Sequence, residues 1–173
     1  MLLGGVYVGD VRFSLPASTT KYYVWRGWSA IRQVVIHHTA GANRDFTARE
    51  VAEYHVVDRG WPGIGYHFLV HPDGRIEYVG NLRTVRYHCG RHNAASIGIC
   101  LAGDFTTAYP AGGQLMRARM LVNGLWREVG REMPVFGHCE LVNTGYGPTE
   151  CPGRTWPRWR ERVIPALWTA PVT

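Results

Sequence analysis

Two stretches of the chain are apolar without a break and too short to be core helices: VVIHH, from Val34 to His38, and SIGICLAG, from Ser96 to Gly103. A strand with one face in water alternates apolar and polar residues, whereas a strand covered on both faces does not. Both runs carry β-branched residues and neither has a helical face, so each reads as a strand buried between two layers. Such a sheet needs cover on both sides, and the intervening sequence supplies it. Thr47-Ala48-Arg49-Glu50 has the form of a capping box and opens a helix that should run to about Arg59, stopped by Gly60. Between Gln114 and Arg131, the positions Leu115, Ala118, Val122, Leu125 and Val129 fall on one helical stripe with arginines opposite.

The remaining elements are shorter. GYHFLVHPDGRIEYVG reads as a β-hairpin turning at Pro72-Asp73-Gly74. Gly41-Ala42-Asn43 is a loop, Pro134-Val135-Phe136 a short strand, and Trp156 to Trp168 a short helix weakened by Pro165. Residues 1–30, with scattered aromatics (Tyr22, Tyr23, Trp25, Trp28), read as an N-terminal arm with one or two short strands packed on the domain formed by residues 31–173. There is no internal repeat and no second domain. Strands alternate with helices but one strand pair is a hairpin, so the expected fold class is α/β, a single domain with a central mixed β-sheet flanked by helices.

Composition narrows the function classes. At 173 residues and 46% hydrophobic content the chain is long enough for one proper core. No run approaches the ~20 apolar residues of a membrane span. The start, MLLGGVYVGD, lacks a basic segment and a continuous apolar core, so no signal peptide is read there. The expectation is synthesis in the cytosol; for any work outside, something else must export the protein or open the membrane. The net charge of +6 is carried almost wholly by arginine, Lys21 being the one lysine. Basic charge favours polyanions. The arginines are dispersed and no nucleic-acid motif occurs, so nucleic acid is not expected as the main partner. A monomer is expected. The four cysteines (Cys89, Cys100, Cys139, Cys151) are expected as free thiols or metal ligands rather than disulfides in a cytosolic chain.

The stretch GHCELVNTGYGPTECP, Gly137 to Pro152, opens with His138 and closes with Cys151 around a loop rich in turn formers. A third candidate ligand ends the run VVIHH. Two imidazoles and a thiolate are the three-ligand set of a catalytic zinc, with the fourth tetrahedral position left for water. His37 and His38 are neighbours whose side chains point to opposite faces of a strand. Only one faces the His138/Cys151 loop, and alternation alone does not choose between them.

Five blocks, VVIHHTAG, GWPGIGYHFLVHPDGRIEYVG, HNAASIGICLAGDF, GHCE and TECPG, agree in order and spacing with one family. The chain resembles the type 2 N-acetylmuramoyl-L-alanine amidases, which include phage lysozyme-type amidases and animal peptidoglycan recognition proteins. The resemblance spans roughly residues 31–156. It implies an amidase/peptidoglycan-recognition-protein-like fold, bacterial peptidoglycan as partner, and hydrolysis of the amide between the lactyl group of N-acetylmuramic acid and L-alanine. It implies one Zn²⁺ per chain, held by His37, His138 and Cys151, and leaves His38 a structural role. The tyrosine of GYHF maps to Tyr66, near the attacking water. The site-lining residue two before the cysteine maps to Thr149, where the phage lysozyme-type enzymes have lysine. A distant branch carries a glutamate base at the position of Cys100, so this chain sides with the tyrosine branch. The resemblance implies a phage or prophage endolysin, with a non-catalytic peptidoglycan-binding module as the alternative.

These residue types suit the chemistry. An amide resists neutral water, and zinc both polarises the carbonyl and lowers the pKa of water. A tyrosine or threonine hydroxyl donates to a developing oxyanion. The route of the proton to the leaving nitrogen stays open among Tyr66, Thr149 and a histidine such as His88. Cys89 and Cys100 are expected as buried thiols, Cys139 as pointing away from the metal, His67 as opposite Tyr66, and His71 and His92 as loop or hydrogen-bonding residues. The His138–Cys151 interval exceeds the family's usual length; the extra residues fall in LVNTGYGP, where a loop can absorb them or shape the cleft rim.

Overall fold

The computed structural model describes residues 1–41, 45–145 and 147–166. Its frame is a six-stranded sheet in the order β3-β6-β5-β7-β4-β8. The strands are β3 (Gly9–Asp10), β4 (Gln33–His38), β5 (Phe68–Val70), β6 (Ile76–Tyr78), β7 (Ser96–Leu101) and β8 (Val135–Gly137). Within it the β5–β6 hairpin is antiparallel and the other pairs are parallel. The two uninterrupted apolar runs, β4 and β7, lie side by side in the middle, and all six residues of β7 are buried. The hairpin turns as read: Gly74 N donates to the His71 carbonyl at 2.9 Å around Pro72-Asp73.

Register divides the sheet into two faces. Ile36, Ile99 and Phe68 form one lateral row, and His37, Cys100 and Leu69 the next. The first row faces α2 (Gly112–Val129) and α3 (Trp156–Val163), where Leu115, Leu121, Leu125, Trp156 and Trp159 complete the larger core. The second faces α1 (Ala48–Glu53), whose Ala48, Val51 and Ala52 pack on Leu69 and Cys100. Burying each such aliphatic side chain is worth about 1.5–3 kcal/mol.

The first helical run starts and stops as the sequence says, α2 starts two residues before Gln114 and ends at Val129, and α3 stops short of its expected end. The capping box closes in both directions, Glu50 N to Thr47 Oγ1 at 3.2 Å and Thr47 N to Glu50 Oε2 at 2.9 Å. α1 then loosens into a π-helical turn over Tyr54–Asp58, which ends at Arg59. α2 follows its stripe and is capped by Gly130 in the left-handed region (φ 76°). α3 ends at Val163 because Ile164, ahead of Pro165, is forced into extended backbone (ψ 121°). Trp168, Ala42 and Asn43, read above as helix end and loop, lie outside the described residues.

The N-terminal segment holds three short strands rather than one or two. β1 (Leu2–Leu3) and β2 (Val6–Tyr7) pair with each other, and β3 joins the sheet beside β6. Leu3, Val6 and Val8 enter the larger core. Arg26, also buried, donates to the carbonyls of Leu82, Asn93, Ala94 and Ser96 and so ties this segment to the domain. Among the described residues no helix is long and apolar enough to cross a membrane.

Candidate metal centre

Parallel pairing of β4 with β8 sets Ile36 opposite Gly137. One residue further along come His37, still in β4, and His138, which opens the turn after β8, at the same end of the sheet and with ring centroids 4.8 Å apart. Gly137 is required there: a Cβ would lie 2.6 Å from Trp156 Nε1 and 3.0 Å from Pro152 Cδ. That close approach brings in the loop after Glu140, and Cys139 N donates to the Cys151 carbonyl at 2.6 Å. Cys151 Sγ then sits 3.5 Å from His37 Nδ1. One ligand atom from each of His37, His138 and Cys151 lies within 4.8 Å of the others. A zinc ion with bonds of about 2.0–2.3 Å holds its ligands a little closer than this, so the set fits one ion after small side-chain closure.

The neighbours separate by face. His38 points to the α2/α3 side, where its Nδ1 accepts from Phe105 N at 3.2 Å. Tyr66 leans on His37 with ring centroids 5.2 Å apart. Thr149 Oγ1 accepts from Cys151 N at 3.2 Å. Cys139 is exposed, Cys89 and Cys100 are buried, and all four cysteines are free. His67 turns away from Tyr66 towards Arg26 and Gly98. His92 Nε2 bonds the Val142 carbonyl at 2.8 Å. His71 is fully buried between Asp45 (2.6 Å) and Glu77 (3.1 Å).

Two cavities flank the cluster. One, of about 680 Å³, is lined by Phe46, Tyr54, His55 and Tyr66; the other, of about 940 Å³, by Trp61, Tyr87, His88, His138 and Thr149. Arg59 and Arg91 also line the larger one, and neither pairs with a carboxylate among the described residues. Of these wall residues Tyr54, His55, Arg59, Tyr87 and Arg91 were not legible in the sequence, because side chains that line a cleft carry no periodic signal. The one clue was Trp61, directly after the helix-stopping Gly60.

Burial governs the protonation of the cluster. It pushes His37 well below its ordinary value, helped by the facing His88 and His138, and it lowers His138 too. Neutral imidazoles are what a metal needs. Burial raises the Cys151 thiol to about 12 in the metal-free chain; a bound cation inverts this and ionises a coordinating thiol. Tyr66 is raised well above its ordinary value by burial and by the two nearby thiols, Cys100 and Cys151, so its hydroxyl remains a donor at neutral pH.

The same burial makes an expectation for stability. Burial lowers His55 to about 4 and His88 to about 3, and it pushes His67 well down, with Arg26 adding to the effect. In the unfolded chain these groups take up protons near pH 6.5, so between that value and about 4 the unfolded state binds more protons. His71 works the other way. Burial opposes its charge, but the hydrogen bonds that its ring N–H groups donate to Glu77 and Asp45 outweigh burial and raise it, so its contribution is present in acid and lost as pH rises through its folded value. With six histidines lowered (His37, His38, His55, His67, His88 and His138) and His71 alone raised, the metal-free protein should lose stability as pH falls from about 6.5 to 4, by up to about 3 kcal/mol for a buried histidine such as His55. Thermal unfolding across that range checks it; a flat profile contradicts it.

Two imidazoles and a thiolate whose donor atoms converge, with His138 on the wall of the larger cleft, make a set that could hold one metal ion. The sequence profile of the N-acetylmuramoyl-L-alanine amidase family matches residues 27–154, and the chain belongs to that family. Peptidoglycan-recognition protein SC2 of Drosophila melanogaster is 32% identical over 139 residues, covering 73% of this chain and 74% of that protein. Among solved structures, peptidoglycan recognition protein-LE in complex with tracheal cytotoxin, a monomeric diaminopimelic acid-type peptidoglycan, superposes with a TM-score of 0.75 at 26% identity, covering 91% of this chain and 95% of that one. The Ph2119 endolysin of a Thermus scotoductus bacteriophage superposes with a TM-score of 0.72 at 26% identity, over 92% of this chain and 100% of that one.

Proposed function

We propose that this chain is a zinc-dependent N-acetylmuramoyl-L-alanine amidase, a phage or prophage endolysin acting on peptidoglycan after release from the host cytoplasm. The observation that carries the reading is the meeting of His37, His138 and Cys151 within 4.8 Å beside the clefts. These three hold Zn²⁺, which when bound supplies Lewis acidity to the amide carbonyl and to water. Water adds its oxygen to the lactyl carbonyl carbon, the C–N bond breaks, and the L-alanine nitrogen takes up a proton. Tyr66 and Thr149 are the hydroxyls that donate to the oxygen on which charge develops. Both ring nitrogens of His88 are already engaged, by His37 and Ser96, so the proton passes through Tyr66 or Thr149 instead. Arg59 and Arg91 on the cleft wall suit the carboxylates of a stem peptide. One chain supplies every one of these groups, consistent with a working monomer.

The test uses purified cell walls. Zinc-loaded protein is expected to release free amino termini, chelator to stop the release, and added zinc to restore it. If zinc-loaded protein releases none, the enzyme reading fails and the chain is a peptidoglycan-binding module.

A further inference from the structure

We infer that His88 is a positioning residue for His37: a run of hydrogen bonds anchored on a backbone carbonyl fixes which nitrogen of His37 is left bare for the metal. The inference rests on the metal-site reading above and adds how that site is held.

The run starts from a group that can only accept. Ser96 Oγ lies 2.7 Å from the His92 carbonyl oxygen, so the hydroxyl proton points there. The Ser96 oxygen is then an acceptor for His88 Nε2, 3.4 Å away. With its proton on Nε2, a neutral His88 has a bare Nδ1, and this faces His37 Nε2 at 3.0 Å. His37 Nε2 therefore carries the proton and donates it. That leaves His37 Nδ1 without one, on the side where Cys151 Sγ stands 3.5 Å off. Each assignment follows from the one before it.

His88 is itself held firmly enough to direct another ring. Asn93 Oδ1 accepts from His88 N (3.0 Å) and Cys89 N (2.7 Å), fixing the backbone from which the ring projects. The ring lies against β7 at Gly98, where a Cβ would fall 2.8–2.9 Å from three of its atoms, so the central strand carries no side chain at that point. The His37 and His88 planes cross at 85° with centroids 5.0 Å apart, the edge-on geometry a ring-to-ring hydrogen bond needs. Metal-bound histidines are usually oriented by a carboxylate or a carbonyl. Here the acceptor is a neutral imidazole, so it orients His37 without adding a negative charge, and only the Cys151 thiolate offsets the charge of the ion.

Two measurements test this, neither of them activity. The first is chelator competition for Zn²⁺ with the intact chain, His88→Ala and His88→Asn, whose side-chain oxygen restores an acceptor near the Nδ1 position. The alanine variant is expected to bind zinc about 10–100-fold more weakly and the asparagine variant to recover most of that loss. The second needs no variant: long-range ¹⁵N–¹H spectra of the metal-free wild type should show His37 and His88 both protonated on Nε2. Equal zinc affinity in wild type and alanine variant, or His88 protonated on Nδ1, overturns the inference. A wild type that takes up no zinc at all overturns the metal-site reading and this inference together, a result distinct from the other two.

Discussion

Replacing Cys151 by serine is expected to remove metal-dependent hydrolysis while leaving wall binding largely intact. The loop around Cys151 is held by its backbone: its N–H donates to Thr149 and its carbonyl accepts from Cys139. Exchanging Sγ for a hydroxyl leaves both bonds in place and removes only the soft, negatively charged ligand. A Lewis acid at the carbonyl is worth several kcal/mol, and losing about 4 kcal/mol of it slows the reaction roughly a thousandfold. The cleft residues Trp61, Tyr87 and Arg91 are untouched, so sedimentation with purified walls should be retained. Hydrolysis by the serine variant near the wild-type rate would show that the thiolate is not a ligand.

The second large effect is expected at Tyr66. A phenylalanine there keeps the ring contact with His37 and loses the hydroxyl alone. If that hydroxyl donates to the oxygen on which charge develops, kcat should fall about 10²–10³-fold, or roughly 3–4 kcal/mol. Zinc affinity and KM should stay near wild type, since neither depends on the lost proton. Because burial and the neighbouring thiols keep the Tyr66 hydroxyl protonated, its donation should hold through neutral and mildly alkaline pH. An unchanged kcat in the phenylalanine variant would move the role to Thr149.

How much of this was visible in the residues varied with the range of the cause. The central strands were legible because burial on both faces removes the polar positions from β4 and β7. The Thr47–Glu50 start and the Pro72-Asp73-Gly74 turn were legible because their chemistry is local. His138 and Cys151 stood out as unusual company in a Gly- and Pro-rich loop. The choice between His37 and His38 was not legible from alternation, since both end the same strand. It depends on which face α1 and which face α2 cover, and those helices come later in the chain. The loosening of α1 into a π-helical turn, the joining of β3 to the sheet, and the bond between His88 and His37 are likewise tertiary. Each is set by groups tens of residues away, beyond the reach of any pattern in a window.

The pairing of β4 with β8 has a further consequence for how the protein matures. The strands that lead to His37 and His138, the first two of the proposed ligands, are direct neighbours in space, yet α1, the hairpin, β7 and α2 all intervene between them in the chain. Contacts between such distant segments carry a large loop-closure cost and form late. An incomplete chain still emerging from the ribosome thus has His37 without its partners and offers a divalent ion no proper seat. Capture of the ion then becomes a signal that the whole sheet has been assembled, and a preparation's metal content should report the fraction of molecules that finished folding.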